Sequence, residues 1–148
     1  MKNSLNDWIW LSSLPGITPG RKHRLLDFFK EPGNIWASTE SELRNLDFMT
    51  EEILSRLTDK ELRKNAGFLA DQVVKLGIRA VTLEDDGYPY LLRKIHDPPV
   101  VLYTKGKPAG DELAVSIVGS RKATYYGLKT AENLAYELAS LGITVVSG

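Results

Sequence analysis

The sequence of 148 residues contains no cysteine, which excludes disulfides, thiolate metal sites and cysteine nucleophiles. Its two histidines, His23 and His96, lie far apart and are not spaced as metal ligands. No stretch approaches the ~20 apolar residues of a membrane span, and residues 1–7 lack the apolar run of a signal peptide. We therefore expect no metal, no cofactor and no membrane span, and we expect the protein in the cytoplasm.

The sequence also lacks an excess of charge of either sign, because 19 basic residues balance 19 acidic ones. A strongly basic surface, the usual mark of a nucleic-acid-binding protein, is therefore missing. Short basic clusters at 21–24 and 121–122, and the pair Lys105 and Lys107, are more often solvated surface than binding sites. Any nucleic-acid site must be local.

Two apolar patterns divide the chain into a helical front half and an α/β second half. Residues 5–69 have helical spacing broken by Pro-Gly turn signals, and five short helices fit. After Gly77 the apolar residues form four short runs typical of strands, at 78–83, 100–103, 115–118 and 143–146. We predict a helical domain over 1–65 and an α/β domain over 66–148.

An amphipathic helix is predicted between the third and fourth strands, over Gly127–Leu141. A strand, a helix and a strand in this order form a parallel crossover by default. One such helix cannot cover both faces of a four-stranded parallel sheet. We therefore expect a fragment of a longer domain, or a second copy of the chain on the uncovered face.

The loop after the third strand, residues 119–127, has the composition of an anion site. Gly119 lets a ligand approach the backbone, Ser120 can donate a hydrogen bond, and the Arg121 guanidinium can hold a phosphate near a helix N-terminus. It matches neither the dinucleotide fingerprint nor a Walker loop. As a local pattern it fits a plain strand-to-helix turn equally well.

A second candidate lies near the N-terminus, where residues 14–22 resemble the turn of a helix–hairpin–helix. Such a turn offers backbone N–H groups to a DNA phosphate, and here Gly16, Gly20, Arg21 and Lys22 are the candidate contacts. A connector that touches no ligand explains the pattern slightly better. A possible second copy at 46–50 lacks the expected glycine.

Two acid-containing segments, 85–90 and 95–100, are interpreted as turns, since aspartates beside glycine and proline usually cap their own backbone. No pair of nucleophile and base is recognisable. The sequence therefore gives no positive sign of catalysis.

Residues 78–148 contain six short motifs in a fixed order: Asp86-Gly87-Tyr88-Pro89 to Leu92, Ile95-His96-Asp97-Pro98-Pro99, Leu102-Tyr103 to Gly106, Ile117-Val118-Gly119-Ser120-Arg121, Tyr126-Gly127 and Val145-Val146-Ser147-Gly148. This order resembles the DNA-processing protein A (DprA/Smf) family. The resemblance implies a Rossmann-like parallel sheet that binds single-stranded DNA without a cofactor, forms a homodimer and helps the recombinase RecA load during natural transformation.

What the resemblance implies for this chain is a DNA site at the loop. Ser120 and Arg121 would contact the DNA backbone beside Gly119 and Lys122, and Tyr126 and Gly127 would shape the pocket. Ser147 and Gly148 would begin a second glycine-rich loop, whose remainder is absent from this sequence. We therefore expect an incomplete Rossmann-like sheet and weak or absent DNA binding by this chain alone.

Two alternatives stay open at this point. One is a Rossmann-like hydrolase acting on a nucleotide phosphoribosyl group, for which Asp111 and Glu132 are the nearest candidate acids. The other is a protein-interaction module in which the front helices bind a partner and the Gly-Ser-Arg loop is structural.

Overall fold

The chain, described by a computed structural model over residues 5–106 and 112–147, forms two compact units. They comprise Met1–Gly106 and Lys107–Gly148. The domain boundary between residues 65 and 66 stays a prediction, and the helix that crosses it runs from Lys60 to Lys75. No helix within the described ranges is long and apolar enough to cross a membrane.

The first unit is mainly helical and ends in a two-stranded sheet. Its elements are α1 Leu5–Ser13, α2 Pro19–Phe29, α3 Pro32–Ala37, α4 Glu40–Arg44, α5 Glu51–Leu57, α6 Lys60–Lys75, β1 Arg79–Thr82, α7 Tyr90–Arg93 and β2 Val101–Thr104. Side chains of Thr39, Thr50 and Asp59 accept hydrogen bonds from the first turns of α4, α5 and α6 and so cap these helices.

The prediction of five helices in the front half missed α3. Pro32-Gly33 was interpreted as a break, but Pro32 occupies the first turn of a six-residue helix. Proline is favoured there, since its missing N–H would have no partner inside the helix. The same dipeptide can therefore begin a helix as well as interrupt one.

Helices α1 and α6 pack around a buried ion pair. The guanidinium of Arg63 pairs with the carboxylate of Asp7, whose side chain is 12% exposed. It also lies over the rings of Trp36 and Trp10, 4.7 Å and 5.2 Å from their centroids. The two tryptophans meet edge to face at 5.4 Å, and Trp10 is fully buried. One cation thus joins α1, α3 and α6.

Strands β1 and β2 pair antiparallel, with Arg79 opposite Thr104 and Thr82 opposite Val101. The prediction of one parallel sheet containing all four strands is therefore wrong for this pair. The intervening chain folds back on itself: Asp85 Oδ2 accepts from the Thr82 amide at 2.6 Å, and the Tyr88 hydroxyl donates to the Pro99 carbonyl at 2.7 Å. These contacts return the chain beside β1 in the opposite direction.

The second unit is the predicted strand–helix–strand, made of β3 Ala114–Ile117, α8 Tyr125–Ser140 and β4 Thr144–Ser147. Its strands pair parallel, from Ala114 beside Thr144 to Ile117 beside Ser147. This confirms the α/β class, while a larger Rossmann-like sheet and a helix–hairpin–helix in the first unit stay predictions. Much of the apolar surface is exposed, including Val115, Val146, Leu128, Leu134 and Leu141.

We expect Arg63→Ala to lower the free energy of unfolding by about 3 kcal/mol, because removing one partner leaves the Asp7 carboxylate buried and unpaired. Urea denaturation measures the change. Arg44→Ala is the matched control, since Arg44 forms ion pairs only with Glu40 and Glu51 on the surface and should cost far less. Equal losses in both variants would contradict this account of the core.

Candidate nucleic-acid interface

The Gly-Ser-Arg loop lies at the carboxyl edge of the parallel strand pair. Strand β3 ends at Ile117, the loop occupies residues 118–124, and α8 begins at Tyr125. The register places Ser147, the last residue of β4, beside Ile117. The structure therefore brings Ser147 to the same edge as the loop. This is the edge at which open α/β sheets bind ligands.

The loop is organised by two short-range hydrogen bonds. The Ser120 hydroxyl oxygen accepts from the Lys122 amide at 3.2 Å, and the Thr124 hydroxyl oxygen accepts from the Gly127 amide at 3.1 Å. Thr124 is thus the N-cap of α8. Sequence reasoning had not included it among the site residues, although a threonine ahead of a helical segment is a common cap signal.

Helix α8 begins at Tyr125, two residues before the predicted start at Gly127. Tyr126 and Gly127 therefore belong to the first helical turn, whereas we had placed them in the loop. The cap at Thr124 explains the earlier start. The Thr124 hydroxyl accepts a hydrogen bond from the Gly127 amide. The amides of Tyr125 and Tyr126, which precede it in the first turn, have no hydrogen-bond partner within the described part of the chain. Such free amides, at the positive end of a helix, suit an anion.

The charged groups of the loop are exposed and unpaired. Arg121 and Lys122 are both exposed, and neither forms an ion pair with any described residue. The nearest basic residue along α8, Lys129, is instead paired with Glu132 at 2.9 Å. A methyl group added at Gly119 would meet nothing within 4 Å, so the backbone there is open to a ligand. The rings of Tyr125 and Tyr126 are 84% and 79% exposed.

Ser147 and Gly148 are the two residues predicted to begin a second glycine-rich loop. Ser147 is exposed at the end of β4. Gly148 lies outside the described residues. Asp111, a candidate acid of the hydrolase alternative, also lies outside them.

The predicted hairpin site in the first unit has charged side chains close to its glycines. A methyl carbon added at Gly16 would lie 3.3 Å from Oε1 of Glu52 and 3.4 Å from Nε of Arg56, and these two side chains form an ion pair. One added at Gly20 would lie 3.0 Å from Oδ1 of Asp97, whose negative charge would repel a DNA phosphate. DNA contact by Gly16, Gly20 and Arg21 stays a prediction, one that Asp97 opposes.

Lys22 points into the first unit and not toward solvent. It is 8% exposed, and its ammonium donates to the carbonyl of Ser12, in the last turn of α1, at 2.5 Å. Burial lowers the pKa of this ammonium. The ammonium links α2 to α1, and its burial opposes the predicted DNA contact of Lys22.

The first acid-containing segment forms a turn, and the second contacts α2. Asp85 closes a turn on Thr82, as the sequence predicted. The carbonyl of Pro98 lies 2.7 Å from the ring nitrogen Nε2 of His23, which ties the second segment to α2. No group of acids and histidines suited to a metal ion exists within residues 5–106 and 112–147.

The chain is similar to several DNA-processing proteins. Residues 79–148 match the family described as DNA recombination-mediator protein A. Protein Smf of Synechocystis sp. is 26% identical over 146 residues, which cover 95% of this chain and 37% of that protein. DNA processing protein DprA of Bacillus subtilis is 35% identical over 74 residues, 49% of this chain and 25% of that protein.

A third similar protein is Smf of Borreliella burgdorferi, 25% identical over 142 residues, which cover 95% of this chain and 44% of that protein. The chain therefore spans less than half the length of each of these relatives.

The buried Lys22 predicts a pH-dependent stability. Because its pKa is lower in the folded chain than the ordinary 10.5, the unfolded chain binds more protons between those two values, and this group's contribution to stability rises with pH there. We expect the unfolding free energy of the parent chain to increase relative to that of Lys22→Met as the pH is raised toward 10.5. Urea denaturation at several pH values gives the difference. A difference that stays constant over this range would contradict the burial of the ammonium.

Proposed function

The chain belongs to the DprA/Smf family of DNA-processing proteins, and we propose that its second unit binds single-stranded DNA. The proposed site consists of the loop 118–124, the first turn of α8 and Ser147. The observation that carries the proposal is the Arg121 guanidinium, which is exposed and unpaired at the positive end of an α-helix.

Each component of the proposed site suits a DNA backbone. The guanidinium of Arg121 can hold a phosphate through two parallel hydrogen bonds. The free amides of Tyr125 and Tyr126 can donate to a second oxygen, and the helix dipole favours the negative charge. Lys122 adds a second positive charge to the loop. Because these contacts involve phosphates and not base edges, the proposed binding is independent of DNA sequence. Because they are electrostatic, it is sensitive to salt.

The exposed rings of Tyr125 and Tyr126 suit a single strand more than a duplex. Unpaired bases stack on aromatic side chains, and a base-paired duplex cannot offer its base faces in this way. We include these two rings in the proposed interface as stacking surfaces. The glycine at position 119 leaves space for the strand beside them.

We favour binding over hydrolysis as the activity of this site. Hydrolysis of a phosphoribosyl group needs an acid beside the phosphate cradle, and residues 118–124 contain none. Glu132 lies further along α8 and pairs with Lys129. At the level of the whole protein we propose a cytoplasmic role in DNA uptake and recombination, with RecA as a partner and a homodimer as the assembly.

We expect Arg121→Ala to weaken binding of labelled oligo-dT about tenfold or more, because a charge-assisted contact is worth about 1.5–3 kcal/mol. The logarithmic salt dependence of the binding constant should also become shallower by about one phosphate contact. Fluorescence anisotropy at low and moderate salt measures both quantities.

The matched control is Arg79→Ala, which removes the same charge from an exposed position on β1. We expect it to leave oligo-dT binding unchanged. Equal weakening by both substitutions would mean that only net charge matters. An oligo-dT affinity that is the same for Arg121→Ala and the parent chain would overturn the proposed site.

A further inference from the structure

A surface groove in the first unit lies between helix α2 and the segment that joins α4 to α5. It has a volume of about 430 Å³. Arg24, Asp27 and Phe28 of α2 form one wall, and residues 45–48 form the other. All of these residues belong to the first unit, whereas the residues of the proposed DNA site belong to the second.

The groove has an apolar interior. Its floor is Leu46, which is 8% exposed and belongs to the core of the first unit. Phe48 is half-buried against that core, while Phe28 is 62% exposed and its ring meets that of Phe29 edge to face, at 4.9 Å between ring centroids. A large aromatic side chain exposed at the rim of an apolar groove is typical of a binding surface.

One wall of the groove is held in place before any ligand arrives. The guanidinium of Arg24 donates to both carboxylate oxygens of Asp47, at 2.6 Å and 2.8 Å. It also lies 4.1 Å above the centre of the Phe48 ring. This hydrogen bonding lowers the pKa of the Asp47 carboxyl, which therefore stays ionised. The paired charges of Arg24 and Asp47 offset each other.

The other acid of the groove, Asp27, has no such partner. Its carboxylate forms no ion pair or hydrogen bond with any described residue, because the ammonium of Lys30 donates to the main-chain carbonyl of Asp27 instead, at 2.6 Å. The groove therefore presents one uncompensated negative charge beside an apolar interior. The Asn45 side chain, also without a described partner, can bond to a peptide backbone.

We propose that this groove binds a short segment of a partner protein in which an apolar side chain lies next to a lysine or arginine. The apolar side chain enters between Phe28 and Phe48 over Leu46, and the cation pairs with Asp27. A nucleic acid is disfavoured here, since its phosphates would face Asp27 and Asp47.

Selection of a random peptide library on the full chain tests this proposal. We expect the enriched peptides to share an apolar residue beside lysine or arginine. Phe28→Ala should weaken them about tenfold, because the substitution removes the main apolar contact. Asp27→Lys should weaken them about fivefold or more, because it replaces an attraction by a repulsion. Both positions are exposed, so circular dichroism and thermal unfolding should match those of the parent chain.

The matched control is Asp71→Lys, the same change of charge at an exposed position of α6, which should leave binding unchanged. Enriched peptides rich in acids, peptides that bind the Asp27→Lys and parent chains equally, or no enrichment at all would overturn the proposal. Displacement of the peptides by oligo-dT would overturn it as well, because the groove would then be a nucleic-acid site.

Discussion

The parallel pairing of β3 with β4 is the constraint that fixes the proposed DNA site. Parallel neighbours need a crossover between them, and here the crossover is α8. Both strands must then end at one edge, and the helix must begin near that edge. Arg121, the start of α8 and Ser147 consequently share one end of the unit although they are distant in sequence. The sheet fixes the position of the loop, and the small residues Gly119 and Ser120 leave its backbone accessible to a ligand.

In the first unit, three positive charges hold elements together. Arg63 joins α1, α3 and α6 through Asp7 and two tryptophans, Lys22 joins α2 to the last turn of α1, and Arg24 fixes Asp47. The loop cations Arg121 and Lys122 differ from these three because their charged groups contact no described residue. A chain with zero net charge can therefore still present a local phosphate site, since these two cations lie together beside a helix N-terminus.

Sequence patterns predicted the parts of the fold that depend on local chemistry. The four strands and the amphipathic helix between the last two of them follow from the spacing of apolar residues. The antiparallel direction of β2 was not predictable, since it depends on contacts such as Tyr88 with Pro99. The burial of Lys22 was also hidden, because its basic neighbours suggested a solvated surface. The groove at Phe28 was missed because its two walls are separated along the chain.

Mapping oligo-dT onto the backbone amides of the isotope-labelled chain by NMR tests the central claim most directly. The account predicts that the largest shifts fall on residues 119–127 and Ser147, and that residues 14–22 and the groove at 45–48 change little. Shifts concentrated at the hairpin turn, at the groove, or spread evenly over all exposed basic residues would contradict a DNA site at the carboxyl edge of the parallel strands.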